Sequence, residues 1–137
     1  MINANLKWTG KRQLVGVGLV SGHSIVLDQA RDNGDDTGMR PTEALLISVA
    51  GCTAVDMVNI LTKMKIDLTR CEIDIEGEQA EDYPKYFHTI RLKYKLSGEG
   101  LTMKKAEKAV SLSMNKYCAI SQSLKGRAEF KTEIEII

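Results

Sequence analysis

Apolar and polar residues alternate at the start of the chain. Ile2, Ala4, Leu6 and Trp8 are separated by polar positions, the period of a half-buried strand, and Gly10-Lys11-Arg12 follows as a turn. Residues 14–20 predict a second strand, Ser21-Gly22 a hairpin turn, and residues 24–28 a third strand. The polar, glycine-bearing run 29–40 predicts a surface loop. At Pro41 the pattern changes. Apolar residues surround most of the circumference of a predicted helix over 41–65, as in a helix packed between sheets or subunits. Pro41 suits its first turn, and Glu43 puts negative charge near the positive end of the helix dipole.

Alternation then returns. Leu68, Cys71, Ile73 and Ile75, and later Ile90, Leu92, Tyr94 and Leu96, predict two antiparallel strands joined through the loop near Pro84. Met103, Ala106, Val110, Met114 and Tyr117 recur at helical spacing, predicting a second helix to about Cys118. A short helical turn continues through Ile120 and Leu124 until Gly126 stops it. Ala128, Phe130, Thr132, Ile134 and Ile136 alternate as a last strand. Strands grouped as hairpins, rather than alternating singly with helices, favour an α+β fold with antiparallel sheet over a doubly wound one. The 137 residues fit one domain. Its parts are N-terminal strands and loop (1–40), a central helix (41–65), a strand hairpin (67–97), a second helical segment (101–125) and a C-terminal strand (127–137).

Composition removes several function classes. A formal charge of +1 with 27% charged residues lacks the basic field that phosphate binding requires, so no nucleic-acid partner is expected. The N-terminus has no hydrophobic signal region, and Ser48, Thr53 and Asp56 interrupt the longest apolar stretch, so the expectation is a soluble cytoplasmic protein without a membrane partner. Three cysteines without dense spacing point to reduced thiols rather than a disulfide scaffold. His23 and His88 stand alone, with neither Cys-x-x-Cys nor His-x-x-x-His, so no metal is expected. No glycine-rich phosphate loop follows a strand: Gly16-Val17-Gly18 lies within a strand pattern, and no cofactor is implied.

What chemistry remains is carried by thiols. Ser48, Cys52, Asp56, Asn59 and Lys63 fall in one stripe of the long helix, which places Cys52 on its polar side. Attack on a peroxide or a disulfide needs a thiolate, and therefore a cation, a donor or a helix N-terminus nearby. Cys52 is mid-helix with none of these, and Asp56 one turn on would raise its pKa if ionised and close. A cation has to come from elsewhere, and Arg12, Arg31 and Arg40 precede the helix as candidates. Gly51 inside a helix costs about 1 kcal/mol against alanine, which suggests close approach of another backbone or a substrate. Cys118, at a junction between helices, lies near free amide groups. Both thiols can equally be small packed hydrophobes, and Cys71, on the apolar side of its strand, reads as packing.

Pro41-Thr42-Glu43-Ala44-Leu45-Leu46, Ala50-Gly51-Cys52 and Cys118-Ala119-Ile120-Ser121 together resemble the OsmC/Ohr family of osmotically induced and organic-hydroperoxide-resistance proteins, across nearly the whole chain. The resemblance implies an α+β fold, antiparallel sheets packed on a long buried central helix, in an intertwined homodimer with sites at the subunit interface. It further implies an antioxidant stress-response peroxidase. Cys52 would be oxidised to a sulfenic acid by an organic hydroperoxide, and Cys118 would condense with it to a disulfide that an external dithiol reduces. Glu43 and Arg12 are the candidates for the family's catalytic glutamate and arginine: Thr42 directly follows the proline and Glu43 comes one residue later, about 100° round the helix, and Arg12, in Gly-Lys-Arg-Gln, is the first choice for an arginine that no motif aligns. A helix-capping charge is the other reading of Glu43, and Ala119 stands where a proline often follows the second cysteine. Two further functions stay open: a non-catalytic binding protein for a small hydrophobic ligand at the dimer interface, and a thiol redox sensor.

Overall fold

The computed structural model describes all residues, Met1–Ile137. The chain forms two compact units, Met1–Leu45 and Leu46–Ile137.

The first unit is a meander of β1 (Ala4–Gly10), β2 (Gln13–Gly18) and β3 (Ser24–Leu27), antiparallel throughout in the order β1-β2-β3. Gly10 and Lys11 make the β1–β2 turn at positive φ, 119° and 51°. Gly16 lies opposite Leu6 and Ile25, and a Cβ there would meet their side chains at 3.5 and 3.4 Å, so packing accounts for this glycine. The segment after β3 is more ordered than a surface loop suggests, because it wraps a carboxylate. Asp28 is 2% exposed. It accepts the backbone N–H groups of Gln29 at 2.7 Å and Thr37 at 3.1 Å and the Thr37 hydroxyl. The Thr37 hydroxyl bond, with these amides, holds the carboxyl below its ordinary pKa despite burial.

Helix α1 (Pro41–Lys63) begins where Pro41 fixes φ. In the second unit its residues Val49, Thr53, Met57 and Leu61 are fully buried, one per turn along a single stripe. They belong to one core with β5 (Phe87–Glu99), whose inward residues Ile90, Leu92, Tyr94 and Leu96 are at most 1% exposed. Each such apolar side chain contributes about 1.5–3 kcal/mol on burial. β5 lies between β4 (Asp67–Gln79) and β6 (Glu129–Ile136), which explains the depth of its burial. The β4–β5 pairing is antiparallel. A register shift between Leu68 and Arg70 puts Leu68 and Cys71, of opposite parity, on the same side. The expectation of wholly antiparallel sheets needs one correction: β6 runs parallel to β5. The chain reaches β6 through helix α2 (Met103–Leu112), a π-turn (Ser113–Tyr117) and helix α3 (Ala119–Leu124), and such a crossover returns a strand in the same direction.

The helix predicted to run unbroken to about Cys118 in fact widens at the π-turn. Thr102 caps α2 by accepting the Lys105 N–H at 3.3 Å. Where α2 gives way to the π-turn the Ser113 hydroxyl turns inward, donating to the Thr53 carbonyl at 3.0 Å and lying 2.8 Å from the Thr53 hydroxyl. Thr53 is in turn 2.9 Å from the Tyr94 hydroxyl. These three buried hydroxyls tie α1, β5 and the π-turn together. Burial pushes the Tyr94 phenol up to about 12, only partly offset by the Thr53 bond. By length and composition α1 could cross a membrane, yet one of its stripes is committed to this core. Ile47 and Val55 face outward instead, 55% and 62% exposed.

Candidate functional site

Three side chains of the second unit converge. The sulfurs of Cys52 and Cys118 and a carboxylate oxygen of Asp56 all lie within 4.8 Å of one another. Cys52 and Asp56 are one turn apart on α1, so helical geometry aligns them. Cys118 arrives by the π-turn. Its N–H donates to the Ser113 carbonyl at 2.7 Å, five residues back, and its own backbone turns extended (φ −68°, ψ 104°) to cap α3. The widened turn frees the Met114 carbonyl, which accepts the Ser121 hydroxyl at 3.1 Å and the Gln122 amide at 2.8 Å. Ser121 also donates its backbone N–H to the Cys118 sulfur at 3.4 Å. Cys118 is therefore buried and held from several sides, whereas Cys52 is half-buried.

The electrostatics do not favour a thiolate on the groups of this unit alone. Burial first, then a hydrogen bond with Cys118, push the Cys52 thiol up, opposed by the backbone N–H groups of Ile120 and Ala119. Asp56 Oδ2 is a buried oxygen with no hydrogen-bond partner. Such an orphan invites an explanation in a bound proton, water or ion.

The other expected residues fall differently. Glu43 accepts the Arg40 backbone N–H at 2.8 Å, so its carboxylate closes the first turn of α1 as the second half of a capping box does. The Arg40 guanidinium donates to Asp36 and to the Gly38 carbonyl, and its charged form is favoured by Asp36 foremost, with Glu43 adding to the effect. Arg12 is exposed and donates to the Lys11 carbonyl at 3.4 Å. Gly51 is exposed with open space where a Cβ would stand, so the close approach expected there is not made within the chain. Cys71 is exposed rather than packed. Sequence reasoning overlooked Asp28 and the Thr53–Tyr94–Ser113 hydroxyls. Asp28 directly follows β3 and opens a polar loop, a signal for a local carboxylate cap, but Ser113 carries no mark that separates it from any helical serine.

The family model for OsmC-like proteins matches residues 34–133. The chain belongs to the OsmC/Ohr family. It is 31% identical over 136 residues to Protein YhfA of Escherichia coli K12, covering 99% of this chain and 98% of that protein. The crystal structure of a hypothetical protein from Aquifex aeolicus VF5 is similar at 26% identity and a TM-score of 0.88, covering 100% of this chain and 96% of the other. An organic hydroperoxide resistance protein from Elizabethkingia anophelis, crystallised with thiocyanate, shares the fold at 14% identity and a TM-score of 0.74, covering 100% and 96%. The α+β architecture, two three-stranded sheets with a long helix, is that of OsmC-like structures.

Proposed function

We propose that this OsmC/Ohr member is a thiol peroxidase for organic hydroperoxides, with Cys52 as attacking sulfur and Cys118 as resolving sulfur. One observation carries the reading: two sulfurs from distant segments lie within 4.8 Å of each other, one half-buried and approachable, the other buried and pinned. The kinship with proteins named for organic hydroperoxide resistance supports it.

In the first step the Cys52 thiolate attacks the outer oxygen of ROOH. The S–O bond forms, the O–O bond breaks, and the alkoxide takes up a proton to leave as ROH. In the second, the Cys118 thiolate attacks the Cys52 sulfur of the sulfenic acid. An S–S bond forms and hydroxide, protonated, leaves as water. An external dithiol then reduces the disulfide and is itself oxidised. Asp56 is the carboxylate beside both sulfurs and can take up and return these protons.

Ionising Cys52 against burial calls for a cation, a role assigned to Arg12 in this proposal, with Arg40 as comparator because Glu43 acts on it. Glu43 would position that guanidinium as well as cap α1. The exposed Ile47 and Val55 of α1 support a homodimer as the working form, and the dithiol requirement suits the cytoplasm. The test is peptide mapping of unreduced protein after brief cumene hydroperoxide treatment, with consumption of the hydroperoxide followed in the presence of a dithiol. A linked Cys52–Cys118 peptide and loss of consumption in C52S are expected. Oxidation confined to Cys71, or no consumption by the wild type, overturns the reading.

A second reading has one observation in its favour. A groove of about 610 Å³ lies along α2 and β6, with an apolar strip of Met103, Val110, Met114, Phe130 and Ile134 beside polar residues such as Glu107 and Lys125, and includes neither Cys52 nor Cys118. Wild-type inactivity together with saturable binding of an apolar fluorophore, lost in F130D, would favour a binding protein.

A further inference from the structure

The Cys52, Cys118 and Asp56 cluster has a property that peroxide chemistry does not require. Two sulfurs and a carboxylate oxygen, from two separate segments, form a triangle with no side longer than 4.8 Å. In a tetrahedral zinc site, bond lengths of about 2.3 Å to sulfur and 2.1 Å to oxygen put ligand atoms about 3.6–3.8 Å apart. The triangle needs a contraction of at most about 1.2 Å to match, within the reach of side-chain rotation on Cys52. The carboxylate oxygen Asp56 Oδ2 is already buried without a partner. Amide donors stand behind the sulfurs, Ser121 N–H on Cys118 and the Ala119 and Ile120 N–H groups on Cys52, the kind of outer support that orients metal-bound thiolates.

The geometry points to a site for a single thiophilic divalent cation of the zinc class, held by Cys52 Sγ, Cys118 Sγ and an Asp56 oxygen, with a fourth position open to water or an exogenous thiol. Two thiolates select zinc or another soft ion over magnesium and calcium, which prefer all-oxygen shells. Three anionic ligands around a doubly charged ion leave one net negative charge. No neighbouring cation is then needed, unlike for a lone thiolate. The absence of Cys-x-x-Cys and His-x-x-x-His spacing does not bear on this site. Its ligands come from one helical turn, positions 52 and 56, and from a distant helix cap.

Metal and disulfide exclude each other, because both use the same two sulfurs. If the peroxidase reading holds, one hydroperoxide takes two electrons from the metal-bound thiolates and, with two protons, gives the disulfide, ROH, water and the free ion. The binding itself does not depend on that reading and is measured without peroxide.

Reduced, chelator-stripped protein is titrated with Zn²⁺ against a chromophoric chelator. Co²⁺ is added in parallel to read thiolate-to-cobalt charge-transfer absorption. The expected result is one ion per chain, a charge-transfer band in the wild type and in C71S, loss of both signals in C52S and C118S, and at least 10-fold weaker zinc binding in D56N. Far-ultraviolet dichroism and melting of each variant separate lost ligation from lost folding. A variant that no longer folds is replaced by C71S alkylated at Cys52, which must also lose the band. No stoichiometric binding by the reduced wild type overturns the site. So does binding untouched by C52S and D56N, or binding lost in C71S.

Discussion

Two aspartates, Asp28 buried and Asp56 half-buried, show how differently one side chain can be used. Asp28 in the first unit has its oxygens met by Gln29 and Thr37, and the carboxyl is held in its charged form. Asp56 in the second unit keeps one oxygen buried and unmet, beside two thiols. A saturated carboxylate has spent its valences on building a loop. An unsaturated one still has a lone pair to offer a proton or an ion. The pattern of partners, rather than burial, separates the structural acid from the chemical one.

The contrast breaks most visibly at the thiols. C52S and C118S should each cut dithiol-dependent hydroperoxide consumption by about 10³-fold or more, while C71S leaves it unchanged, as read by ferrous-xylenol orange assay of residual peroxide. An active C52S would remove the functional half of the comparison.

Alkaline unfolding tests the core behind the site. Tyr94 is raised to about 12 in the fold against about 10 in the unfolded chain, so the folded state holds its proton where the unfolded state has lost it. Its contribution to stability is intact below pH about 10 and falls away as pH rises to about 12, a loss on the order of 2–3 kcal/mol in urea midpoints. Y94F should remove most of that alkaline loss. At neutral pH it should cost about 1 kcal/mol for the bond to Thr53.

Asp28→Ala should lower the thermal midpoint by about 5 °C or more, since three donors lose their acceptor. The lowered carboxyl pKa sets the sign of the wild type's acid response. Stability from this group is present above the unfolded value near 4 and is lost as pH falls through the lower folded one. The smallest effect is expected at Asp56. D56N should leave the thermal midpoint nearly unchanged, because the buried oxygen it alters makes no hydrogen bond that could be lost. A drop as large as that of D28A would mean that the two aspartates do the same job.

Much of the fold was legible in the sequence where periodicity is strong. β1 to β3 follow the alternation and the glycine turns, and α1 starts at Pro41 as its proline and glutamate suggest. The stripe of Cys52 and Asp56 was legible too, because helical spacing alone aligns them. What could not be read was any contact made by a hydrogen bond across elements. The direction of β6 depends on how the crossover returns, and at the break of the second helix Ser113 meets Thr53, sixty positions away. Glu43 offered two roles, and the backbone N–H of Arg40, invisible as sequence, takes its carboxylate as a cap. Cys71 looked packed because alternation reports a face of the strand without reporting whether anything covers it.

The π-turn makes hydrogen-bond register, more than residue identity, the sensitive variable between positions 113 and 117. Substitutions at the exposed Asn115 and Lys116 leave the spacing intact. Rewinding the same five residues as ordinary α-helix would turn the sulfur of Cys118 around the axis, out of register with α1, because an α-turn holds fewer residues than the π-turn does. Relatives one residue shorter here would close the segment as α-helix with the two thiols still facing each other.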